Sequence, residues 1–231
     1  MSVVREIAFD TETTGLDWSG ADRVIELGAV ELINHVPSGR TFQTYINPDQ
    51  PVSAKTTEIT GIKDEDLVDK PRFSDPLVVD AFLEFIGDAN LVAHNATFDR
   101  NFLNMELVKC GRDPILEIRW VDTLMIARKK HPGSPASLDA LCKRYDINSD
   151  ARTFHGALLD SQLLAEVYLE LLGGRARAFD FESTTIVTKS HQSAARQRPA
   201  PLTTIMSGDE LAAHSEFVEQ LGEGAIWRLY N

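Results

Sequence analysis

The sequence predicts an α/β domain built on a mixed five-stranded sheet flanked by helices, followed by a flexible C-terminal tail. Three observations predict this class. Strand-like apolar segments fill most of the first 47 residues, helical and strand-like patterns then alternate as far as residue 172, and the composition changes after Gly173 and Gly174. Consecutive strands followed by alternating helices and strands are typical of a mixed sheet with helices on both faces.

The first half of the chain is predicted to hold three strands and three helical segments. The strands cover about 3–12, 23–34 and 40–47, and the second is apolar enough for a largely buried strand. Short helical segments are predicted near 53–59 and 64–68. An amphipathic helix follows, marked by Leu77, Val78, Ala81, Phe82, Phe85 and Ile86.

The second half of the chain is predicted to alternate between strands and helices. A strand at 90–93 leads into a helix whose first turn contains Asp99. A short strand is predicted near 117–121. Helices are then expected around 122–129, 137–145 and 156–172.

The chain beyond residue 174 is predicted to be a linker over 175–206 and an ordered segment over 207–231. Between Ser183 and Gly208 there is no acidic residue and there are few apolar ones, which indicates a flexible linker. Ser207 with Glu210 fits a capping box, and Met206 with Leu211 fits a hydrophobic staple. Leu211, Ser215, Val218 and Leu221 or Gly222 follow at helical spacing. Such a segment either binds a groove on a partner or folds back onto its own domain.

Composition favours a cytoplasmic protein without a membrane partner. The 231 residues are 43% hydrophobic, which suits one globular domain and an extension. The N-terminal Met-Ser-Val-Val-Arg-Glu runs directly into the first strand, and no apolar run approaches a membrane span. Cys110 and Cys142 have neither metal-ligand nor redox spacing, so we expect reduced thiols.

Two carboxylates end the first predicted strand. Asp10 and Glu12 are two residues apart, so their side chains lie on one face of the strand. Two carboxylates about 4 Å apart repel by roughly 4 kcal/mol near a protein surface, and a hard divalent cation relieves that repulsion. An Asp-x-Glu tripeptide is common by chance, so this pair alone is weak evidence for a metal site.

Two further acids occupy unusual places. Asp99 lies in the first turn of a helix, where the helix dipole alone would favour a carboxylate. Asp160 lies on the apolar stripe of Leu163, Leu164, Val167 and Leu171, where a charge is costly unless it is paired or binds a metal. His155, near the start of the same helix, is either a solvated residue or a base.

These segments together resemble a known set of motifs. Phe9-Asp10-Thr11-Glu12-Thr13-Thr14-Gly15-Leu16, His94-Asn95-Ala96-Thr97-Phe98-Asp99 and His155-x4-Asp160 resemble the three exonuclease motifs of the DEDDh family, which includes the DnaQ-like proofreading 3'-5' exonucleases. The resemblance covers roughly residues 3–172. It implies a ribonuclease H-like fold with the first strand at its centre and an exonuclease domain over 1–174.

The resemblance also implies a reaction and its residues. The expected reaction is hydrolysis of the 3'-terminal phosphodiester of single-stranded or frayed DNA, with release of nucleoside 5'-monophosphates. Two divalent cations, Mg²⁺ or Mn²⁺, are expected on Asp10, Glu12, Asp99 and Asp160, with His155 as the base. The expected substrate contacts are Thr11, Thr13, Thr14, Gly15, Leu16, His94, Asn95 and Phe98.

The C-terminal residues resemble a more specific family. Glu210-Leu-Ala-Ala-His214 and Ile226-Trp227-Arg228 resemble the C-terminal segment of the epsilon-subunit family of bacterial DNA polymerase III, in which it attaches the exonuclease to the catalytic (alpha) subunit. This implies a nucleoid-associated, replisomal location. The stretch 175–181 lies where that family carries a peptide that binds the sliding clamp, but it lacks the leading Gln. The sequence therefore leaves undecided whether the clamp is a second partner.

The acidic net charge of the chain allows two interpretations of nucleic-acid binding. The net charge is −12, and residues 1–172 hold 17 Lys or Arg against 28 Asp or Glu, although proteins that grip DNA by its phosphates are basic. Either the chain does not bind nucleic acid, or it holds a few nucleotides through bound metals while a partner supplies the main grip. Candidate phosphate contacts are Arg100, Lys129, Lys130, Lys143, Arg144 and Arg152.

The sequence leaves two rival functions open. One is an RNA-trimming DEDDh exoribonuclease, and the other is a structural tether between polymerase and clamp with cleavage secondary or lost. The tail favours the polymerase-associated form over a free-standing RNA trimmer. The complete set of acids with His155 favours an active enzyme over a tether.

Overall fold

A five-stranded mixed sheet organises the chain, which a computed structural model describes over residues 3–149, 154–174 and 207–221. The strands are β1 (Arg5–Thr13), β2 (Val24–Ile33), β3 (Val36–Tyr45), β4 (Asn90–Ala93) and β5 (Trp120–Asp122). Their order across the sheet is β3-β2-β1-β4-β5. β1 pairs antiparallel with β2 and parallel with β4. The predicted mixed sheet with the first strand at its centre is confirmed.

Helices connect and cover these strands. They are α1 (Ala54–Thr60), α2 (Asp64–Leu67), α3 (Pro76–Ile86), α4 (Ala96–Lys109), α5 (Thr123–Lys130), α6 (Leu138–Tyr145), α7 (Ala157–Leu171) and α8 (Gly208–Gln220). Four of the first six begin at a Ser or Asp whose side chain accepts a backbone N–H of the first turn, namely Ser53, Asp75, Asp122 and Ser137. Such caps satisfy N–H groups that have no partner within the helix.

The two faces of β1 pack against different helices. Ile7 and Phe9 join a core cluster with Phe82 of α3 and Phe102 of α4, all fully buried. Ala8 belongs to a second cluster, with Leu164 and Tyr168 of α7. Because side chains alternate along a strand, Asp10 and Glu12 fall on the α7 face, and Thr11 falls on the α3 and α4 face.

The third strand begins earlier than the sequence predicts. It starts at Val36 instead of residue 40, directly after a two-residue turn in which Asn34 and His35 have φ of 51° and 70°. Two consecutive positive φ values produce the tight hairpin whose twist matches the flanking strands. Pro37 fits within this strand because β3 lies at the edge of the sheet, where proline is tolerated.

The segment near residue 117 also differs from the prediction. Glu117–Arg119 form a turn of 3₁₀ helix, and the strand occupies only Trp120–Asp122. The Arg119 guanidinium donates to the backbone carbonyls of Gly87 and Ala89 at 2.6 Å. This long-range anchor fixes the turn just ahead of β5, and a local sequence pattern does not reveal it.

The chain divides into two units, residues 1–184 and 185–231. In the second unit, α8 begins with the predicted capping box, in which the Glu210 N–H donates to the Ser207 hydroxyl and the Ser207 N–H donates to the Glu210 carboxylate. Val218 is buried, whereas Leu211 and Leu221 are about half exposed. The predicted linker and clamp-peptide region, Met206 of the staple and the Ile226-Trp227-Arg228 ending lie outside the described residues. Among the described residues, no helix combines the length and apolar character needed to cross a membrane.

Candidate active site

Three of the sequence-predicted side chains meet at the end of β1. A carboxylate oxygen of Glu12, a ring nitrogen of His155 and a carboxylate oxygen of Asp160 all lie within 4.8 Å of one another. His155 Nδ1 is 3.2 Å from Asp160 Oδ2. The group therefore combines one strand residue with two residues from the start of α7, 143 or more positions later in the chain.

The start of α7 reaches β1 because β2 lets it approach closely. Gly28 of β2 lies opposite Asp10, and a Cβ on Gly28 would overlap the backbone of Ala157. The Ser161 hydroxyl donates to the Gly28 carbonyl at 2.9 Å. Only glycine at this position leaves room for the helix, so Gly28 contributes to the site without touching it chemically.

The segment before α7 is anchored from a second direction. The His155 N–H donates to the carbonyl of Ile59 in α1 at 3.1 Å. The Phe154 ring packs against Gly61, the residue that ends α1. His155 thus has a fixed backbone although its side chain is 46% exposed.

Asp10 shares the face of β1 with Glu12 and is partly buried. Its neighbours on that face are Ala8, which packs against α7, and Glu12, which belongs to the three-residue group. Asp10, Glu12 and Asp160 therefore place three carboxylates along the contact between β1 and α7. Closely spaced like charges are costly unless a cation lies among them, and oxygen donors of this kind suit a hard divalent ion.

Asp99 reaches β1 from the opposite side of the sheet. It lies in the first turn of α4 and is only 3% exposed. Its Oδ1 accepts the backbone N–H of Thr11 at 3.1 Å and the Thr11 hydroxyl at 2.8 Å. Thr11 stands between Asp10 and Glu12 in sequence, so Asp99 contacts the strand at the point where the other two acids project.

Burial dominates the protonation of Asp99. Loss of water raises the pKa of its carboxyl group to about 7, and the hydrogen bonds from Thr11 act in the opposite direction. Near neutral pH the carboxyl group is therefore divided between its charged and uncharged forms in the metal-free protein. A bound cation would favour the charged form.

A cavity of about 270 Å³ opens beside Glu12. Five of the predicted substrate residues line it, namely Thr11, Thr13, Gly15, Leu16 and Phe98. The other wall comes from α1 and its cap, through Ser53, Lys55, Thr56, Ile59 and Thr60. Sequence reasoning missed this wall, because nothing in a short helical segment indicates which site it will border.

The other predicted substrate residues lie elsewhere. His94 and Asn95 line a separate cavity of about 490 Å³ together with Arg128 and Ser137. His94 Nδ1 is 2.9 Å from the Thr123 hydroxyl oxygen, and burial lowers the pKa of this histidine. Both cavities border residues that follow the carboxyl ends of parallel strands, so they open along the same edge of the sheet.

Thr14 is buried and holds the loop that follows β1. Its hydroxyl donates to Asp22 at 3.0 Å and accepts from the Gln50 amide at 2.9 Å. Its carbonyl accepts the Thr56 hydroxyl at 2.8 Å. Thr14 is thereby placed to support Gly15 and Leu16 in the cavity wall.

Two of the candidate phosphate contacts have structural partners. The Lys130 ammonium donates at 2.8 Å to the carbonyls of Glu170 and Leu171 at the end of α7. Arg100 forms an ion pair with Glu117 at 2.7 Å. Lys129, Lys143 and Arg144 are exposed, and Arg152 lies outside the described residues.

Comparison with known proteins gives a family and named relatives. A family model described as "Exonuclease" matches residues 7–168. The chain is 44% identical over 227 residues to a protein named DNA polymerase III subunit epsilon from Rickettsia conorii, a match that covers 96% of this chain and 98% of that protein.

Solved structures have the same architecture. Exonuclease X in complex with 5' overhanging duplex DNA superposes with a TM-score of 0.57 at 27% identity, covering 75% of this chain and 93% of that one. The nuclease domain of 3'hExo, described as a DEDDh family member bound to rAMP, gives a TM-score of 0.60 at 19% identity, covering 74% and 92%. At 19% identity the second match supports the fold alone.

Proposed function

Because the chain belongs to the exonuclease family and, within it, to the DNA polymerase III epsilon subunits, we propose that it removes mismatched nucleotides from the 3' end of newly synthesised DNA. It is a metal-dependent 3'-5' exonuclease. Its substrate is single-stranded or frayed DNA, and its product is a nucleoside 5'-monophosphate. The observation that carries this proposal is the meeting of Glu12, His155 and Asp160 beside a cavity large enough for part of a nucleotide.

The carboxylates account for cation binding. Asp10, Glu12 and Asp160 would hold Mg²⁺ or Mn²⁺ along the contact of β1 with α7, and Asp99 would hold a second ion through its remaining oxygen or through water. When bound, two such ions supply positive charge that stabilises the attacking and leaving oxygens of the phosphodiester. The four acids would hold the ions at one end of the central strand.

His155 would remove the proton from the attacking water. When Nδ1 carries the hydrogen and donates it to Asp160, Nε2 keeps its lone pair and can accept a proton. The exposed ring faces solvent while its backbone is fixed by Ile59. A positioned base of this kind contributes about 10²–10⁴ in rate.

The cavity accounts for selection of an unpaired end. Leu16, Ile59 and Phe98 supply apolar surface against which a separated base can pack. Lys55 brings a positive charge to the same cavity, where it can meet a phosphate. A mismatched terminus costs less to unpair than a matched one, so selection needs no reading of the base sequence.

The C-terminal segment is proposed to attach the enzyme to the catalytic (alpha) subunit of a DNA polymerase III. The match to the Rickettsia conorii protein spans nearly the whole of both chains and so extends beyond the exonuclease domain. The capped helix α8 with exposed Leu211 and Phe217 fits helix-in-groove binding. Attachment also explains how an enzyme with a net charge of −12 works on DNA, because the polymerase supplies the grip. The sliding clamp is a second candidate partner, and the replisome is the proposed location.

One assay tests the enzymatic proposal. The full-length chain is incubated with a 3'-mismatched primer and Mg²⁺, with and without EDTA, and matched DNA and RNA oligonucleotides serve as competitors. We expect release of deoxynucleoside 5'-monophosphates that EDTA stops and that a matched end slows. Preferential cleavage of RNA would favour an RNA-trimming enzyme, and no cleavage would reject the function.

A second assay tests the attachment. The full-length chain and a chain that ends at residue 206 are each mixed with a catalytic subunit of a DNA polymerase III and separated by size. We expect only the full-length chain to co-elute. Equal behaviour of the two chains would reject the C-terminal segment as the point of attachment.

A further inference from the structure

A fifth carboxylate, Glu26, is buried beside the proposed site. It lies in β2 directly opposite Glu12 and is 1% exposed. Like charges directly opposite each other on neighbouring strands destabilise a sheet. In the described part of the chain, no Lys or Arg side chain forms an ion pair with Glu26. A carboxylate in such a place needs a role that offsets these costs.

Both oxygens of Glu26 are held. Oε1 accepts the side-chain amide of Gln43 at 2.8 Å, and Oε2 accepts the backbone N–H of Ala157 at 3.1 Å. Gln43 lies in β3 and Ala157 is the first residue of α7. Glu26 therefore links the edge of the sheet to the start of the helix that carries Asp160.

The contact with Ala157 replaces a missing cap. Gly156, at the N-cap position of α7, has no side chain with which to accept the first-turn N–H groups. Glu26 accepts one of them from the neighbouring strand, and its negative charge is favourable at the positive end of the helix. The start of α7 is thus set by β2 and not by its own sequence.

We propose that Glu26 is a positioning residue, whose carboxylate fixes the first turn of α7 and thereby holds Asp160 and His155 beside Glu12. This inference rests on the proposed function, because it concerns the same site. His155 and Asp160 stand two residues before and three residues after Ala157. A shift of the first turn would therefore displace Asp160 directly and the His155 ring through its contact with Asp160, because Ile59 holds only the backbone of His155. The nucleotide cavity of α1 and β1 would stay in place.

Two conservative variants separate positioning from charge. Glu26→Gln keeps the length of the side chain and an oxygen that accepts the Ala157 N–H, and the Gln43 amide can turn to present its oxygen. Glu26→Asp keeps the charge but is one methylene too short to reach. The matched control is Glu31→Asp, a buried carboxylate of the same strand that binds Arg5, Ser38 and Arg40 away from the site.

Each full-length variant is measured in three ways: Mn²⁺ binding by calorimetry without DNA, kcat and KM on the mismatched primer, and thermal melting. For Glu26→Asp we expect Mn²⁺ binding about tenfold weaker and kcat about 10–100-fold lower, as found when groups supporting metal ligands are removed. KM should stay within about threefold of wild type. Glu26→Gln should restore both values to within about threefold, and Glu31→Asp should leave Mn²⁺ binding unchanged.

The other outcomes count against the inference. Wild-type Mn²⁺ binding and kcat in Glu26→Asp would overturn it. An impaired Gln variant beside an unimpaired Asp variant would assign the effect to charge. Equal impairment of both would mean that the hydrogen bond to Ala157 is not what positions the helix, and an unfolded Asp variant would assign Glu26 to the fold as a whole. A wild-type chain that neither binds Mn²⁺ nor cleaves DNA would instead reject the proposed function.

Discussion

The helices α4 and α7 each place an aspartate at the same position of their first turn, but the two aspartates have different chemical partners. Asp99 is the fourth residue of α4 and Asp160 the fourth of α7, and both are at most 4% exposed. Neither helix is capped by the side chain of its N-cap residue. The two helices approach β1 from opposite faces, so one position in a helix is used twice to bring a carboxylate to the same strand.

Their partners differ. Asp99 accepts two hydrogen bonds from the uncharged residue Thr11. Asp160, in contrast, lies 3.2 Å from the imidazole of His155. Burial therefore controls the protonation of the Asp99 carboxyl group, whereas the Asp160 carboxyl group interacts directly with the proposed base. The position in the helix thus brings the acid to the site, and the partner of its carboxyl group decides its role.

The largest effect is expected at Asp160. Asp160→Asn keeps the shape of the side chain but removes a charge that the proposed cations need and weakens the hydrogen bond that orients His155. We expect kcat on the mismatched primer to fall by at least about 10⁴-fold, because the metal and the base are disturbed together.

The matched control for this change is Asp139→Asn, an exposed acid in the first turn of α6. It should retain kcat within about twofold. Full activity in Asp160→Asn would show that α7, unlike α4, contributes no essential carboxylate to the active site.

His155→Ala tests the role of the imidazole. We expect kcat to fall by about 10²–10⁴-fold, since the water loses its general base. Binding of Mn²⁺ and of single-stranded DNA should remain, because the carboxylates and the cavity are unchanged. Calorimetry and fluorescence anisotropy measure the two affinities. Loss of Mn²⁺ binding would make His155 a metal ligand instead.

Much of this arrangement could be predicted from the sequence. Strand periodicity placed Asp10 and Glu12 on one face, and helical periodicity placed Asp160 on the apolar stripe of α7. Both patterns are local, because they depend on neighbours a few residues away. The capping box at Ser207 and Glu210 is local too, and the structure confirms it.

What could not be predicted depends on contacts distant in the chain. Gly28 leaves room for α7, Glu26 caps it and the α1 residues complete the cavity, and each interaction joins segments more than 35 residues apart. The contact of Asp99 with Thr11 spans 88 residues. Sequence alone left Asp99 open as an ordinary helix-start acid, because its burial becomes visible only when the sheet is assembled.

A third prediction concerns stability in the absence of metal. The folded-state pKa of Asp99 is raised from 3.8 to about 7, so the folded protein binds more protons than the unfolded chain between these values. The free energy of unfolding contributed by this group therefore falls as the pH rises from about 4 to 7. Asp99→Asn cannot ionise and should escape that loss, which is on the order of 3 kcal/mol.

Urea unfolding in EDTA at pH 5 and pH 8 measures this effect. Asp99→Asn should gain stability relative to wild type at pH 8 and gain much less at pH 5. Asp160→Asn, the same change at the other buried helix-start acid, is measured under the same conditions for comparison. An equal dependence on pH in wild type and Asp99→Asn would contradict the role of burial.

The smallest effect is expected from Thr11→Val, which removes the hydroxyl that donates to Asp99 at 2.8 Å and keeps the backbone N–H. Loss of a donor that favours the charged carboxylate raises the pKa of Asp99 further. Protons then compete with the second cation up to a higher pH. We expect the pH of half-maximal Mn²⁺ binding to rise by about one unit, the equivalent of a hydrogen bond to a charged group.

Calorimetric titration with Mn²⁺ from pH 6 to pH 9 measures that midpoint. Thr13→Val is a control on the same strand, because the Thr13 hydroxyl donates to the Gly15 carbonyl at 2.6 Å and not to an acid. Its midpoint should match wild type. A Thr11→Val midpoint that is unchanged, or lower, would mean that the hydroxyl does not stabilise the Asp99 carboxylate, and the contrast between the two helices would then rest on burial and the backbone N–H alone.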